Sequence, residues 1–123
     1  MNTSHVPVLL WLDDLRPAPT GWTWVKSVND AIALTVTGAV THASLDHDLG
    51  TYTSDGGDGT HYTDWCAHTN TWPTHGIRVH SANPVGVHTM LATIDRYSPY
   101  LTRQHTTRGD TPTNGWPPTN TIH

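Results

Sequence analysis

Short apolar runs, each followed by a polar loop or by a segment of helical periodicity, constrain the fold of this chain most. The run Val8–Leu12 is apolar throughout, which is typical of a strand buried on both faces of a sheet. Further strands are predicted at 22–26, 43–45 and 77–81. Helices are predicted at 28–37, 60–69 and 84–97. Strands that alternate with helices in this way favour an α/β fold with a mostly parallel sheet.

The connection between the first two predicted strands is unusually short. About nine residues, 13–21, join them, whereas a parallel crossover normally takes roughly a dozen or more. Pro17, Pro19 and Gly21 make a regular helix in this connection improbable. Either the loop crosses tightly, or the second strand pairs in another way.

Length, net charge and hydropathy exclude several classes of protein. A chain of 123 residues fits one domain. The formal net charge of −4 provides no basic surface for duplex DNA, and the N-terminal apolar run is far short of the ~20 residues that cross a bilayer. We expect a cytoplasmic protein (host cytoplasm if a phage encodes it) without a duplex-DNA or membrane partner. The oligomeric state is open, and a homodimer is compatible with the sequence.

The patterns that predict strands and helices fade after residue 97. We therefore expect residues 1–97 to form the catalytic domain. Residues 98–123 are rich in Thr, Pro and Asn, which is typical of an extended or partly disordered tail.

All ten acidic residues are Asp, and four of them follow predicted strands. Asp13 and Asp14 follow the first strand, and Asp46 and Asp48 follow the third. Ligands of open α/β sheets bind beyond the carboxyl ends of the strands, so we expect these carboxylates to meet. Packed carboxylates repel one another, and a divalent cation such as Mg²⁺ or Mn²⁺ relieves the repulsion through oxygen ligands. The four Asp residues are therefore predicted metal ligands.

Further polar side chains fall at the same predicted edge. Arg16, Ser81 and Asn83 are predicted to hold phosphate oxygens. His47 or His80 is predicted to act as general acid. Each feature alone has a common structural explanation, such as a turn, a helix cap or a solvated histidine. Their coincidence at successive strand ends is the specific signal for a site.

The pattern of strand ends resembles the receiver domains of response regulators. In those domains an acidic pair follows strand one, a phosphoacceptor Asp ends strand three, and a hydroxyl residue followed by Ala ends strand four. The matching residues here are Asp13, Asp14, Asp46, Ser81 and Ala82.

This chain departs from receivers in two places. A Pro-containing loop, Leu15–Pro19, replaces the first receiver helix, and the only lysine, Lys26, does not follow a fifth strand. The resemblance implies a small three-layer, flavodoxin-like fold with a mostly parallel four-stranded sheet. The first helix would be lost, and the fifth strand degenerate or absent.

Four ordered motifs make the sequence more similar to the family called cyclic-phosphate-processing receiver domains. The motifs are Leu12–Pro17, Ser44–Gly50, Gly57–Thr60 and Val79–Pro84, and the resemblance covers about residues 6–97. This resemblance implies a metal-dependent phosphoesterase that hydrolyses cyclic phosphate esters. The substrates would be cyclic nucleotide signals or 2′,3′-cyclic phosphate ends of RNA, in RNA repair or in phage counter-defence.

Asp46 has two possible roles in such an enzyme: it binds the metal, or it attacks phosphorus directly and forms an acyl phosphate. Two other functions stay open from the sequence. One is a receiver-like module that binds cyclic nucleotides without catalysis. The other is a phosphorylatable signalling receiver, against which the position of Lys26 argues.

Overall fold

The computed structural model describes residues 7–49, 56–104 and 107–108. The strands are β1 (Val8–Leu12), β2 (Thr23–Val25), β3 (Val40–Leu45), β4 (Gly76–Val79) and β5 (Thr107–Arg108). The helices are α1 (Val28–Thr35), α2 (Gly59–Thr69), α3 (Pro84–Tyr97) and α4 (Tyr100–Gln104). The strands lie in the order β2-β1-β3-β4-β5, and each neighbouring pair is parallel. The predicted receiver-like α/β fold is confirmed, with the two-residue β5 as a degenerate fifth strand.

The short connection between β1 and β2 crosses tightly. β2 pairs with β1 in parallel, from Leu10 opposite Thr23 to Leu12 opposite Val25. The connecting residues contain no helix. Instead the indole Nε1 of Trp11 donates a hydrogen bond of 2.8 Å to the backbone oxygen of Arg16. This loop therefore packs against the sheet where a receiver has its first helix.

Polar side chains cap the starts of the three longer helices. The Ser27 hydroxyl accepts from the Asp30 amide at the start of α1. Asp58 and Asn83 cap α2 and α3 in the same way. α1 ends at Thr35 rather than at the predicted residue 37, because residues 36–38 form a turn in which Gly38 has a φ of 81°.

The sheet presents two different faces because successive side chains of a strand point in opposite directions. One face and the helices form the apolar core, whose members include Leu10, Leu12, Ala43, Leu45, Ile77, Val79, Val28, Tyr62, Cys66 and Met90. The opposite face carries Trp11 on β1 and Ser44 on β3, both buried and in register with each other. Buried polar groups on this second face lead to the strand ends described below.

The prediction of an extended tail does not hold for residues 100–104, which form α4. Thr102 explains the difference, since its hydroxyl is buried and donates a hydrogen bond of 2.6 Å to the backbone oxygen of Pro73. Ser98, Pro99 and β5 are also described, whereas residues 105–106 and 109–123 lie outside the described residues, as does Gly50. None of the helices described here combines the length and apolarity that crossing a membrane requires.

Candidate metal and phosphate site

Three carboxylates meet at the carboxyl edge of the sheet. Asp13 and Asp14 follow β1, Asp46 follows β3, and one oxygen of each lies within 4.8 Å of the others. They meet because Leu12 and Leu45, the last residues of β1 and β3, are partners in the parallel pairing. Asp13 is buried, and the other two are half-buried. The sequence predicted this grouping, which we call the carboxylate cluster.

Asp13 is held by three hydrogen-bond donors. Its Oδ1 accepts from the backbone amides of Leu15 and Arg16, each at 2.8 Å. Its Oδ2 contacts Nε2 of His80 at 2.9 Å. A carboxylate offers about four lone-pair positions, so roughly one remains for a further ligand. The charge of this buried group is therefore compensated, and its orientation is fixed.

Asp14 is the least satisfied member of the carboxylate cluster. Its Oδ1 is buried, and no hydrogen-bond partner reaches it within the described part of the chain. Buried polar atoms normally have such partners, and an exception calls for an explanation. A divalent cation is the partner that suits a carboxylate oxygen beside two other carboxylates. The donor set therefore fits a hard divalent cation.

The surroundings of Asp46 disfavour its negative charge. Burial and then the neighbouring charge of Asp13 raise the pKa of Asp46 above its usual value. A hydrogen bond from the Ser81 hydroxyl, another from the His47 backbone and the charge of Arg16 oppose this rise in pKa. A bound cation would add to these stabilising contacts and favour the carboxylate form.

A second group of polar side chains lies beside the carboxylate cluster. The ring of His47 contacts Oδ1 of Asp48 through Nδ1 at 2.8 Å and Oδ2 of Asp58 through Nε2 at 3.4 Å. The hydrogen bond from His47 is the main reason why the pKa of Asp48 is lowered. Asp48 is not one of the three clustered carboxylates. Its assignment as a metal ligand stays a prediction.

Two glycines let the helices approach this edge closely. A side chain at Gly59, the first residue of α2, would collide with the backbone oxygen of Asp46. A side chain at Gly86, in the first turn of α3, would collide with the ring of His47. The amide of Gly59 also donates to the backbone oxygen of His47 at 2.9 Å. The orientation of His47 thus depends on close packing from both helices.

His80 lies at the site, but its ring is closed off from solvent. Its side chain is 0% exposed, and it stacks on Trp11 with ring centroids 4.0 Å apart and planes 7° apart. Its Nδ1 lies 2.7 Å from the Ser44 hydroxyl, and its Nε2 contacts Asp13. Burial lowers the pKa of His80, although the hydrogen bond to Asp13 partly opposes this.

The predicted phosphate-binding residues surround the same edge. The exposed Arg16 reaches across to β4, where its Nη1 donates to the backbone oxygen of His80 at 3.0 Å. The Ser81 hydroxyl accepts from the amide of Asn83 at 3.1 Å. The Asn83 side chain caps α3 through Oδ1 and contacts Asp48 through Nδ2. Contact of these three residues with a phosphate stays a prediction.

Sequence reasoning did not assign Ser44 or Asp58 to the site. Ser44 is a polar residue within an otherwise largely apolar strand, and a buried hydroxyl there requires a partner. Asp58 lies in the Gly57–Thr60 motif, where the sequence indicates no role of its own for it. It caps α2, where its Oδ1 accepts from the Thr60 amide at 3.0 Å, and it contacts His47. Both residues thus support histidines of the site.

Comparison with known proteins agrees with the motif pattern. A family model described as the cyclic-phosphate processing receiver domain matches residues 8–96. The match covers β1 through almost all of α3 and includes the carboxylate cluster. Neither the curated proteins nor the solved structures contain a match to the chain.

Proposed function

The chain belongs to the family of cyclic-phosphate processing receiver domains, and we propose that it is a metal-dependent phosphoesterase that hydrolyses cyclic phosphate esters. The substrate classes are cyclic nucleotide signals and RNA ends with a 2′,3′-cyclic phosphate. The observation that carries this proposal is the buried, unpartnered Oδ1 of Asp14 within the carboxylate cluster.

Asp14 and Asp46 are the main candidates to hold Mg²⁺ or Mn²⁺, with Asp13 supplying a further oxygen. A divalent cation bound there would activate a water molecule and neutralise phosphoryl charge. The same charge neutralisation would remove the mutual repulsion of the three carboxylates. Asp48, on the far side of His47, is in our proposal an orienting group for that histidine.

In this proposal, Arg16 and Ser81 hold the non-bridging phosphate oxygens. Arg16 offers an exposed guanidinium, whose planar donors match phosphate geometry. Ser81 is already directed towards Asp46, on which it acts as a hydrogen-bond donor. Asn83 supports this edge by fixing the start of α3.

His47 is the better of the two candidate general acids. Its side chain is 15% exposed, whereas that of His80 is fully buried. Nδ1 of His47 contacts Asp48 at 2.8 Å, whereas Nε2 makes a longer contact of 3.4 Å with Asp58. A substrate therefore competes with Asp58 for Nε2. In ring opening, a water oxygen bonds to phosphorus, one proton of that water passes to solvent, and the bond to one ribose oxygen breaks. Nε2 of His47 gives that departing oxygen its proton.

Direct attack by Asp46 is the alternative within the same site. The carboxylate would bond to phosphorus, release the ribose oxygen and form an acyl phosphate that water then hydrolyses. Both routes require Asp46, so they share the expectation that its replacement abolishes turnover. Rapid acid quenching during turnover, followed by borohydride reduction and peptide mapping, separates them. Only an acyl phosphate on Asp46 is reduced, which converts that residue to homoserine, whereas direct attack by water leaves Asp46 unmodified.

The test is incubation of the purified chain with cyclic nucleotides and with RNA that ends in a 2′,3′-cyclic phosphate, followed by chromatography of the products. We expect opening of at least one substrate with Mg²⁺ or Mn²⁺, and none with a chelator. Asp46→Asn is expected to abolish turnover. Asp64→Asn is the matched control, because Asp64 is an exposed residue of α2 outside the carboxylate cluster.

Four results would refute the proposal. If no substrate turns over, or if Asp46→Asn keeps full activity, the chain is not this enzyme. Tight nucleotide binding that survives chelation without product formation would instead identify a binding module. Stable labelling by a small phosphodonor would identify a signalling receiver. The last outcome is disfavoured because the Lys26 ammonium lies 4.5 Å from the ring centre of Trp24, beside the edge strand β2.

A further inference from the structure

We propose that His80 is a positioning residue, which fixes the carboxylate of Asp13 for cation binding and is itself fixed by Ser44. The chain of contacts runs from the Ser44 hydroxyl through both ring nitrogens of His80 to Oδ2 of Asp13, at 2.7 Å and 2.9 Å. The inference rests on the proposed function only in treating the carboxylate cluster as a cation site.

The three residues have the connectivity of an Asp-His-Ser hydrolase triad, but they are not placed to act as one. Ser44 lies within β3 and is 0% exposed. His80 is likewise buried, on the face of the sheet that carries Trp11. A nucleophile must reach its substrate, and the Ser44 hydroxyl has no solvent-accessible side. The contacts therefore serve to hold Asp13.

The direction of the two hydrogen bonds follows from chemistry. An ionised carboxylate only accepts hydrogen bonds, so Nε2 of His80 donates to Asp13. A neutral ring with its proton on Nε2 has a lone pair on Nδ1, which accepts from the Ser44 hydroxyl. Ser44 thereby selects the ring tautomer that Asp13 needs.

Packing fixes the ring as well as its proton. The imidazole stacks on Trp11 with planes 7° apart, and Arg16 binds the backbone oxygen of His80. Oδ1 of Asp13 is held independently by two amides of the β1–β2 loop. With both oxygens fixed, the remaining lone pair of Asp13 has a preset direction. Partners that orient a metal ligand in this way typically change metal affinity by roughly 10–100-fold when they are removed.

The test is calorimetric titration of the full chain with Mn²⁺ alone. His80→Phe keeps an aromatic ring on Trp11 but removes both hydrogen bonds, and we expect roughly 10–100-fold weaker Mn²⁺ binding. Ser44→Ala is expected to weaken binding by a smaller factor. His80→Gln restores an amide donor and should recover part of the affinity lost in His80→Phe.

His42→Phe is the matched control. His42 is another buried histidine, on the same strand as Ser44, and its ring contacts Thr41 and His75. We expect its replacement to lower stability while leaving Mn²⁺ affinity within about twofold of the parent, as for sites with no shared partner. Far-ultraviolet circular dichroism of each variant shows whether it has folded.

Several outcomes would overturn this inference. A folded His80→Phe variant with parental Mn²⁺ affinity would do so, as would an equal loss of affinity in His42→Phe. If His80→Phe does not fold, unchanged affinity in both Ser44→Ala and His80→Gln would overturn it instead. If the parent chain binds no Mn²⁺, this inference and the proposed function both fail. If the parent binds Mn²⁺ but opens no cyclic phosphate, only the proposed function fails.

Discussion

Replacing Asp46 with Asn should stabilise the protein in the absence of divalent cations. The substitution removes one of three carboxylate charges whose ligand oxygens lie within 4.8 Å of one another. Two unit charges about 5 Å apart repel by ~0.8 kcal/mol in water and by ~3 kcal/mol at an effective dielectric of 20. The cluster is only partly buried, so we expect the free energy of unfolding to rise by about 1–3 kcal/mol.

The sign of this effect follows from the pKa of Asp46. Burial and the charge of Asp13 raise it, so ionised Asp46 costs the folded state free energy once the pH rises above that pKa. Asn carries no such charge, and it keeps an oxygen that can accept from Ser81. At neutral pH, therefore, the variant avoids a cost that the parent pays.

Thermal unfolding with a chelator and with Mg²⁺ measures this effect. A gain of 1 kcal/mol corresponds to a rise in Tm of roughly 4 °C for a domain of this size. In chelator, Asp46→Asn should melt above the parent chain. Added Mg²⁺ should raise the Tm of the parent and have little effect on the variant, because a ligand that binds only the folded state stabilises it.

Asp64→Asn controls for the loss of a negative charge as such. It should leave the Tm nearly unchanged in chelator, because exposed charges far from others contribute little, and it should keep the parental response to Mg²⁺. The reasoning is refuted if Asp46→Asn melts below the parent in chelator, or if Mg²⁺ raises the Tm of both chains equally.

Three further effects follow from the site and the core. Gly86→Ala should displace the His47 ring, lowering turnover by roughly 100-fold and stability by about 1–3 kcal/mol; kinetics and melting of the purified variant measure both. Because the pKa of His80 is lowered in the folded state, the free energy of unfolding should decline as the pH falls below about 6.5. The decline should be smaller in His80→Gln, and urea titrations across that pH range measure it. Burial raises the pKa of Cys66 to about 12, so iodoacetamide should alkylate the native chain far more slowly than the urea-unfolded chain.

Local sequence patterns were sufficient to locate the carboxylate cluster. The apolar run of β1 ends at Leu12, and the next two residues are acidic. β3 ends at Leu45, and the acidic residue Asp46 follows it directly. Parallel neighbouring strands place their ends together, so the meeting of these residues required no knowledge of tertiary packing beyond the sheet order.

The support for that cluster was not predictable in the same way. The bonds from His80 to Asp13 and Ser44 join residues that are 67 and 36 positions apart. They depend on which face of each strand is buried and on the ring being turned towards β1. The sequence therefore suggested a catalytic role for His80, whose ring is buried in the structure.

Helix α4 was missed for a related reason. Its five residues carry little apolar periodicity, and isolated helices of this length are unstable in water. Packing against the rest of the domain stabilises it, including the bond from Thr102 to Pro73. Such tertiary contacts override weak local preference.

Real-time ³¹P NMR of a 2′,3′-cyclic nucleotide and of a 3′,5′-cyclic nucleotide with the purified chain tests the central claim most directly. The buffer contains Mg²⁺ and no Mn²⁺. We expect at least one cyclic phosphate resonance to be replaced by the resonance of a phosphate monoester. The conversion should stop on chelation and should be absent in Asp46→Asn. Unchanged cyclic resonances for both substrates and for an RNA end, or conversion that persists in chelator and in Asp46→Asn, would contradict the account.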